Sequence, residues 1–283
     1  MNITVIYNPN STGDSEHNAR LVYEMLKTDN NIELLATESA GHAEEIASRI
    51  TEKGQPAMII SSSGDGGYHE VLNGVLSSRH HTKIILGLLP SGNANDHYRS
   101  LHRGDLATRI KQKDIDQIDI IKVSTDSFTR YAHSYVGFGV TAKIGSQLNK
   151  TKLNPVKEIW LVLRHLFDYT PVKIEFESKI RHYDNLLFTN IGDMSKVLKI
   201  NQNAEYTDGQ LEVTAKRSGN ALGLISQLLK AAVVGLDQSK QLQSISFKIL
   251  STTQVQLDGE IYEIKAGQTV KVECLSKALS CII

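Results

Sequence analysis

Three glycine-bearing turns follow strand-like segments in the first part of the chain, and their residue types suit phosphate binding. Their sequences are NPNSTG at 8–13, SSGDGG at 62–67 and PSGNAN at 90–95. Glycine lets the backbone approach a phosphate closely, and a helix that follows offers unpaired N–H donors. Ligands of open parallel sheets bind beyond the carboxyl ends of the strands. Together the turns predict a nucleotide pocket, although each alone is equally well explained as a tight turn.

Asp65 is the most informative residue of these turns. A carboxylate beside phosphates is repulsive unless a cation or a hydrogen-bond donor intervenes. Its candidate roles are to hold Mg²⁺, to orient the loop by accepting N–H bonds, or to bind a ribose hydroxyl; a plain Asx turn is the alternative. The turn is neither a P-loop, since no G-x-x-x-x-G-K-[ST] occurs, nor G-x-G-x-x-G, because His69 occupies the last position.

The elements that must position these turns alternate between strand and helix patterns, which is typical of a parallel α/β sheet. A helix is predicted over 15–28, with Ala19, Val22 and Leu26 on one stripe and Leu21 and Met25 beside it. Strands are predicted at the apolar, β-branched segments 3–7, 32–37, 57–61 and 83–89.

After about residue 122 the pattern changes to short strands separated by turns, which indicates an antiparallel β-sandwich. Helical patterns interrupt it at 155–168 and 221–234, where apolar stripes would cover the sandwich or flank an acyl-chain groove. We therefore predict an α/β nucleotide-binding domain over 1–122 and a β-sandwich lipid-substrate domain over 123–274. The predicted strands are segments 134–140, 171–178, 185–191, 209–216, 244–250, 253–259 and 269–275.

The amino-acid composition of the chain restricts the kinds of partner that we expect it to bind. The 283 residues include 31 basic and 31 acidic ones, a balance that argues against a nucleic-acid binder. Two cysteines, Cys274 and Cys281, favour a reduced, cytoplasmic protein. No signal peptide or apolar run long enough to span a bilayer is present in the sequence, so we expect any membrane contact to be peripheral.

The turns and several later segments resemble those of the diacylglycerol kinase catalytic-domain family, which includes bacterial lipid kinases and sphingosine kinases. Beyond the three turns, the matches follow in order along nearly the whole chain: QIDIIKV (117–123), SYVGFG (134–139), YTDGQLEV (206–213) and QLDGE (256–260). The resemblance implies a fold similar to NAD kinase and phosphofructokinase, an α/β domain followed by a β-sandwich. It also implies that residues 275–283 return to the first domain.

The resemblance implies ATP and Mg²⁺ as cofactors and assigns residues to each task. Glu260 would accept the proton of a lipid hydroxyl, with Asp258 supporting it and Asp65 near the phosphates. Asp208, with backbone oxygens near Glu205 and Gln210, would match a structural Mg²⁺ site. The ATP site would be lined by Asn8, Pro9, Asn10, Ser11, Thr12, Thr37, Gly64, Asp65, Gly66, Gly67, Tyr68, His69, Glu70, Asn93 and Arg99.

Composition alone offers a simpler interpretation of two of these sites. Asp258-Gly259 and Asp208-Gly209 are both dipeptides that favour tight turns between strands, a role that is compatible with catalysis. The chain also departs from the family's usual GGDGT, since Ser63 begins this motif and Gly67 ends it. Asn93 replaces a frequent threonine, and Gly13 and Asp14 stand where a lysine often follows the first motif.

Phosphoryl transfer depends on positioning and charge neutralisation. We expect ATP in the glycine turns, Mg²⁺ near Asp65, and Glu260 or Asp258 as the general base for diacylglycerol or a related lipid alcohol. The alternatives are an NAD kinase-like enzyme, disfavoured because no T-G-S-T-A-Y-like segment is present, and a lipid- or nucleotide-binding module without turnover. An exposed sandwich edge leaves room for a homodimer.

Overall fold

In the computed structural model of the protein, the described residues are 1–11, 13–93, 95–101, 104–143, 169–194, 198–199, 204–219, 223, 226 and 240–282. The chain divides into two compact units. The first unit contains residues 1–120 and 276–283, and the second contains residues 121–275.

The first unit contains a parallel sheet with strand order β4-β3-β1-β2. Its strands are β1 (Asn2–Tyr7), β2 (Asn31–Ala36), β3 (Ala57–Ser63) and β4 (Ile84–Pro90). Its helices are α1 (Ser15–Leu26), α2 (His42–Glu52), α3 (Asp65–Leu76), α4 (Asp96–Leu101) and α5 (Leu106–Gln112), with a short 3₁₀ turn at His81–Lys83.

Alternation of apolar strands and amphipathic helices explains this unit. Every residue of β3 is buried, as expected for a central parallel strand that is covered on both faces. One stripe of α1, Ala19, Val22 and Leu26, packs into the core with Val5 of β1. Burying one stripe in this way positions the turn that precedes each helix at the carboxyl end of a strand.

The second unit is antiparallel and rich in strands, with the order β16-β15-β7-β9-β8-β14-β17. Strand β12 pairs with both β9 and β13, and β5 pairs with β6. Strand β5 (Asp116–Ser124) begins in the first unit, and strand β17 (Thr269–Ile282) ends in it. The other strands are β6 (Thr129–Ala132), β7 (Tyr135–Gly139), β8 (Val172–Phe176), β9 (Lys179–Thr189), β10 (Asp193–Met194), β11 (Leu198–Lys199), β12 (Leu211–Arg217), β13 (Lys240–Leu242), β14 (Ser244–Ile249), β15 (Thr253–Leu257) and β16 (Glu260–Ile264).

Alternating side chains of these strands form the core of the second unit. Phe138, Phe188 and Phe247 are fully or almost fully buried, and their rings pack against one another with centroid separations of 5.7–6.4 Å. Because successive residues of a strand point to opposite faces, only every second residue of β7 and β12 joins this core.

Strand β17 belongs to both units. Its first residues pair antiparallel with β14, and residues 280–282 pair parallel with β4. Lys277, between these two pairings, adopts a left-handed backbone with φ of 50°. Its N–H donates to the buried Asp119 carboxylate at 2.7 Å.

The predicted fold class, an α/β domain followed by an antiparallel strand-rich domain, is confirmed. Within the helix predicted at 15–28, Ala19, Val22 and Leu26 face the core, whereas Leu21 and Met25 are about half exposed. The helix predicted at 155–168 lies outside the described residues, as does the helix predicted at 221–234 apart from Gly223 and Ser226.

Candidate active site

Three turns meet at the carboxyl ends of β1, β3 and β4. The Ser91 carbonyl oxygen accepts the N–H of Gly13 at 3.1 Å and the hydroxyl of Ser11, so the first and third turns are tied together. The Ser91 N–H donates to the Ser63 carbonyl at 2.8 Å, which joins the third turn to the second. The first unit therefore gathers all three predicted turns at one edge of its sheet.

Glycine is required where the second and third turns touch. A Cβ on Gly92 would lie only 2.3 Å from the Gly64 Cα, and a Cβ on Gly64 would lie 2.9 Å from the Gly92 Cα. No side chain fits at either position without moving the backbone. Two bare backbone segments are thus placed side by side, as phosphate binding requires.

A buried layer of hydroxyl groups supports the turns from below. Ser15 and Ser62 exchange hydrogen bonds, because each hydroxyl donates to the other residue's carbonyl oxygen. The Asn18 amide donates to the Ser91 hydroxyl at 2.9 Å. These bonds connect α1, β3 and the third turn, so side chains buried beneath the turns fix the turn backbones.

The Asp65 carboxylate links the second turn to α4. Its two oxygens accept the N–H groups of Asp96 at 3.1 Å and His97 at 3.2 Å. Accepting N–H bonds to orient the loop is one of the three roles predicted for Asp65. Asp65 thereby holds the start of α4 next to the second turn.

The other residues of this predicted segment mostly have structural contacts. Glu70 accepts the N–H groups of Gly41 at 2.8 Å and Ala43 at 3.3 Å, at the start of α2. Tyr68 and His69 are at most 1% exposed, and the Tyr68 ring stacks on His97 with centroids 5.2 Å apart. Only the backbone of these two residues is therefore available to a nucleotide, whereas Gly64, Asp65, Gly66 and Gly67 are partly exposed.

The remaining nucleotide predictions fall around the same sheet edge. Thr37 follows β2, and its N–H donates to the Tyr7 carbonyl at 2.9 Å. Arg99 is exposed and forms an ion pair with Asp96 at 2.6 Å, next to the Asp65 contact. Four of the predicted residues are exposed, namely Asn8, Pro9, Asn10 and Asn93. Ser11 is partly buried, and Thr12 lies outside the described residues.

In the second unit, Asp258 holds a hairpin turn together. Asp258 and Gly259 connect β15 to β16, and both have positive φ, 50° and 104°. The Asp258 carboxylate is 2% exposed and accepts three backbone N–H groups, those of His133, Ser134 and Tyr135, at 2.8–3.1 Å. Three donors compensate the burial of this charge and fix the turn that precedes Glu260.

Glu260 follows this turn, and its environment differs from that of Asp258. It begins β16 and is partly exposed. Within the described part of the chain, its carboxylate accepts no hydrogen bond and forms no ion pair. The turn fixes the backbone of Glu260, and its carboxylate oxygens accept no hydrogen bond from the described residues. Such a carboxylate is suited to accept a proton.

Asp208 lies in the turn before β12. One oxygen accepts the Gln210 N–H at 2.9 Å, which is the Asx-turn geometry, and the other accepts the Gln241 side-chain amide at 3.2 Å. Glu205 is exposed and Gln210 is partly buried. Among the residues the structure describes, no three histidine, cysteine or acidic side chains are grouped to hold a metal ion.

Sequence reasoning missed two features. A Cβ on Gly67 would lie 2.6 Å from the Ser63 Cβ and 2.7 Å from its hydroxyl oxygen, so Ser63 fills the space that a side chain at 67 would need. Glu212 of β12 is fully buried, and burial raises the pKa of its carboxyl from 4.5 to about 7. The sequence shows that Ser63 and Gly67 depart from the family's GGDGT motif, but it does not show that the two positions are in contact. No motif around Glu212 marks it as a buried carboxylate.

Comparison with known proteins gives a consistent result. Residues 2–123 match the diacylglycerol kinase catalytic domain. A diacylglycerol kinase of Bacillus subtilis is 24% identical over 288 residues, covering 95% of this chain and 92% of its own length. A diacylglycerol kinase of Staphylococcus carnosus is 28% identical over 281 residues, covering 90% and 87%.

A solved structure of a diacylglycerol kinase from Bacillus anthracis shares the fold, with a TM-score of 0.73 at 18% identity over 99% of this chain and 96% of that chain. The family match covers the three turns, and the relatives extend over both units. Residues 2–123 therefore match the diacylglycerol kinase catalytic-domain family, and the similarity of the whole chain to bacterial diacylglycerol kinases supports a lipid kinase of that family.

Proposed function

We propose that the chain transfers the terminal phosphoryl group of ATP to the free hydroxyl of diacylglycerol, with Mg²⁺ as cofactor. The observation that carries this proposal is the meeting of three glycine-bearing turns through Ser91, Gly64 and Gly92. A site made of backbone at the carboxyl edge of a parallel sheet suits a triphosphate better than it suits an apolar ligand.

The turns and α3 supply the fit to ATP. Helix α3 begins at Asp65, so the amide groups of its first turn lack intrahelical acceptors and point toward the turn. The positive end of the helix dipole favours the negative charge of a phosphate at this place. The Asn93 amide is exposed beside the third turn and supplies a neutral donor, whereas Gly13 and Asp14 supply no cation.

Mg²⁺, when bound, would neutralise charge on the phosphates during transfer. Asp65 is the residue proposed to hold it, through a water molecule, because both its oxygens already accept backbone N–H groups. A carboxylate in this position also needs a nearby cation to offset its repulsion of the phosphates.

Glu260 is the proposed general base. Its carboxylate takes the proton of the lipid hydroxyl as that oxygen bonds to phosphorus and the bond to the departing ADP breaks. Asp258 contributes indirectly, since its three N–H bonds hold the turn from which Glu260 projects. Such general-base catalysis is typically worth about 10²–10⁴-fold in rate.

The lipid acceptor requires contact with a membrane surface, and we propose that this contact is peripheral. No helix in the described part of the chain has the length and apolar character needed to cross a bilayer.

Phosphoryl transfer is tested with radiolabelled ATP and phosphatidylcholine vesicles that contain diacylglycerol, a sphingoid base or a long-chain alcohol. We expect label in the diacylglycerol product, and its loss when EDTA removes Mg²⁺. NAD is the control acceptor in a parallel reaction. Label in NAD, or tight ATP binding with no labelled product from any acceptor, would contradict the proposal.

We also propose a structural Mg²⁺ at the Asp208 turn, with backbone oxygens near Glu205 and Gln210. The support is an exposed carboxylate in a tight turn, whose remaining lone pairs are available to a hydrated cation. The test is thermal unfolding of the protein in the presence and absence of about 5 mM Mg²⁺. Mg²⁺ should raise the Tm of the wild type and not that of Asp208→Ala; equal shifts would refute this site.

A further inference from the structure

A buried histidine lies against the turn that precedes Glu260, and the mechanism proposed above gives it no role. His133 and Ser134 join β6 to β7, and each is at most 1% exposed. Burying a polar ring destabilises a fold unless its nitrogens have polar partners. Both nitrogens of His133 meet one, since Nδ1 lies 2.7 Å from the Ser134 hydroxyl and Nε2 lies 3.4 Å from Asp258 Oδ2.

The imidazole adds to the backbone contacts of the Asp258 carboxylate. Oδ1 accepts the N–H groups of Ser134 at 2.9 Å and Tyr135 at 3.1 Å. Of these three backbone groups, Oδ2 accepts only the N–H of His133, at 2.8 Å, and it is also the oxygen that His133 Nε2 faces. Because each carboxylate oxygen can accept about two hydrogen bonds, a proton on Nε2 complements Oδ2.

The two neighbours of the ring together select one tautomer. A neutral imidazole carries one N–H and one bare nitrogen. If the proton were on Nδ1, the lone pair of Nε2 would face a buried carboxylate, which is repulsive. With the proton on Nε2, the N–H points toward Asp258 and Nδ1 accepts the Ser134 hydroxyl. The Nε2 contact is longer than an ideal hydrogen bond, so its strength depends on the ring keeping this orientation.

We propose that His133 is a further positioning residue of phosphoryl transfer, an inference that rests on the lipid-kinase function proposed above. The Ser134 hydroxyl holds the ring as the Nε2–H tautomer, and this N–H joins the three backbone donors to Asp258. The carboxylate so held keeps the turn in one conformation, and the turn fixes where the Glu260 carboxylate meets the lipid hydroxyl. A catalytic group misplaced by about 1 Å can lose about 10²-fold in rate.

Rates of lipid phosphorylation by two variants test this role. His133→Leu keeps a similar side-chain size and has no donor, whereas the amide nitrogen of His133→Gln can donate from the place of Nε2. We expect kcat to fall about tenfold in His133→Leu with an unchanged KM for ATP, and to return to within about twofold of the wild type in His133→Gln. Rates are divided by the folded fraction, which far-UV circular dichroism measures.

Thr141→Val is the matched control for loss of a buried hydrogen bond in the same unit. Thr141 is 7% exposed, and its hydroxyl donates to Asn185 Oδ1 at 2.6 Å. This variant should lower the Tm and leave kcat unchanged. A fall of kcat in Thr141→Val equal to that in His133→Leu would overturn the inference, because any weakening of the unit would then have the same effect.

Ser134→Ala tests the selection of the tautomer. It should lower kcat about threefold in the wild-type background and have no further effect in His133→Gln, because glutamine has no tautomer to select. An equal fall in both backgrounds would show that Ser134 acts independently of His133. This comparison also tests the inference if His133→Leu does not fold.

The nitrogen NMR spectrum of the histidine rings gives a measurement that does not depend on activity. The chain has ten histidines, and the signal that disappears in His133→Gln identifies His133. We expect a proton on Nε2 and a bare Nδ1 in the wild type, and a mixture of tautomers in Ser134→Ala. A proton on Nδ1 of the wild type would overturn the inference, as would full kcat in folded His133→Leu.

Absence of phosphoryl transfer from the wild type to any lipid would instead contradict the proposed kinase function. The nitrogen spectrum would then show separately whether Ser134 and Asp258 hold the His133 ring.

Discussion

Asp65 in the first unit and Glu260 in the second both stand beside a turn glycine, but their carboxylates have different surroundings. Asp65 accepts two backbone N–H groups and joins two turns. The Glu260 carboxylate accepts none from the described residues, because its neighbour Asp258 makes the backbone contacts instead. In the first unit, backbone groups of the three turns line the candidate site, and buried side chains hold those turns in place. In the second unit, the Asp258 carboxylate holds a turn in place, and the Glu260 side chain projects from that turn.

Removing the presented carboxylate should have the largest effect. Glu260→Gln keeps the size of the side chain and removes its basicity, so kcat for lipid phosphorylation should fall about 10²–10⁴-fold with little change in the KM for ATP. Initial rates with saturating lipid measure this change. The control is Glu263→Gln, an exposed glutamate of the same strand, which should retain the wild-type rate. Full activity in Glu260→Gln would remove Glu260 from the mechanism.

Removing the supporting carboxylate should mainly affect stability. Asp258→Ala leaves three buried N–H groups without an acceptor, which should cost about 3 kcal/mol or more in unfolding free energy. Urea denaturation followed by far-UV circular dichroism measures this loss. Asp126→Ala, which removes one acceptor from the exposed N–H of Thr269, should cost well under 1 kcal/mol. Similar losses in both variants would contradict the role given to Asp258.

In the second turn of the first unit, a substitution at residue 63 should compensate for a substitution at residue 67. Gly67→Thr places a side chain where Ser63 already stands, so ATP affinity should fall about tenfold or more. The double change Ser63→Gly/Gly67→Thr removes the obstruction and should recover most of the affinity. A double-mutant cycle on ATP binding should then give a coupling free energy of about 0.5–3 kcal/mol. Additive effects would show that the two positions act independently.

The smallest expected effect concerns Glu212 and pH. Burial raises the pKa of its carboxyl to about 7 in the folded protein, above its ordinary value of 4.5. Its contribution to stability is therefore complete below about pH 4.5 and is lost as pH rises through 7. Without lipid and with EDTA, the unfolding free energy should fall by about 1–3 kcal/mol more between pH 5 and pH 8 in the wild type than in Glu212→Gln. Parallel pH profiles would exclude this titration.

The glycine turns were predictable because their arrangement follows from local rules. Short apolar runs alternating with helical patterns imply a parallel sheet, and a parallel sheet brings the ends of β1, β3 and β4 to one edge. The hairpin at Asp258-Gly259 was predictable for a similar reason, since that dipeptide favours two positive φ values.

Long-range partners were not predictable. Nothing near Asp65 in the sequence indicates that its oxygens bond the start of α4, or that Asp258 bonds the backbone before β7. Strands β6, β13 and β16 were also missed, because they are short or polar and gain their stability from pairing with a neighbour. The catalytic, nucleotide and metal assignments remain predictions that the experiments above test.

The placement of β17 has a consequence for biosynthesis. Residues 280–282 supply the neighbour of β4, yet they leave the ribosome only after the whole of the second unit. Until then the nascent first unit exposes the backbone edge of β4 to other chains, a hazard for strand-swapped dimers and aggregation. Shielding of that edge by a chaperone would matter most during this interval.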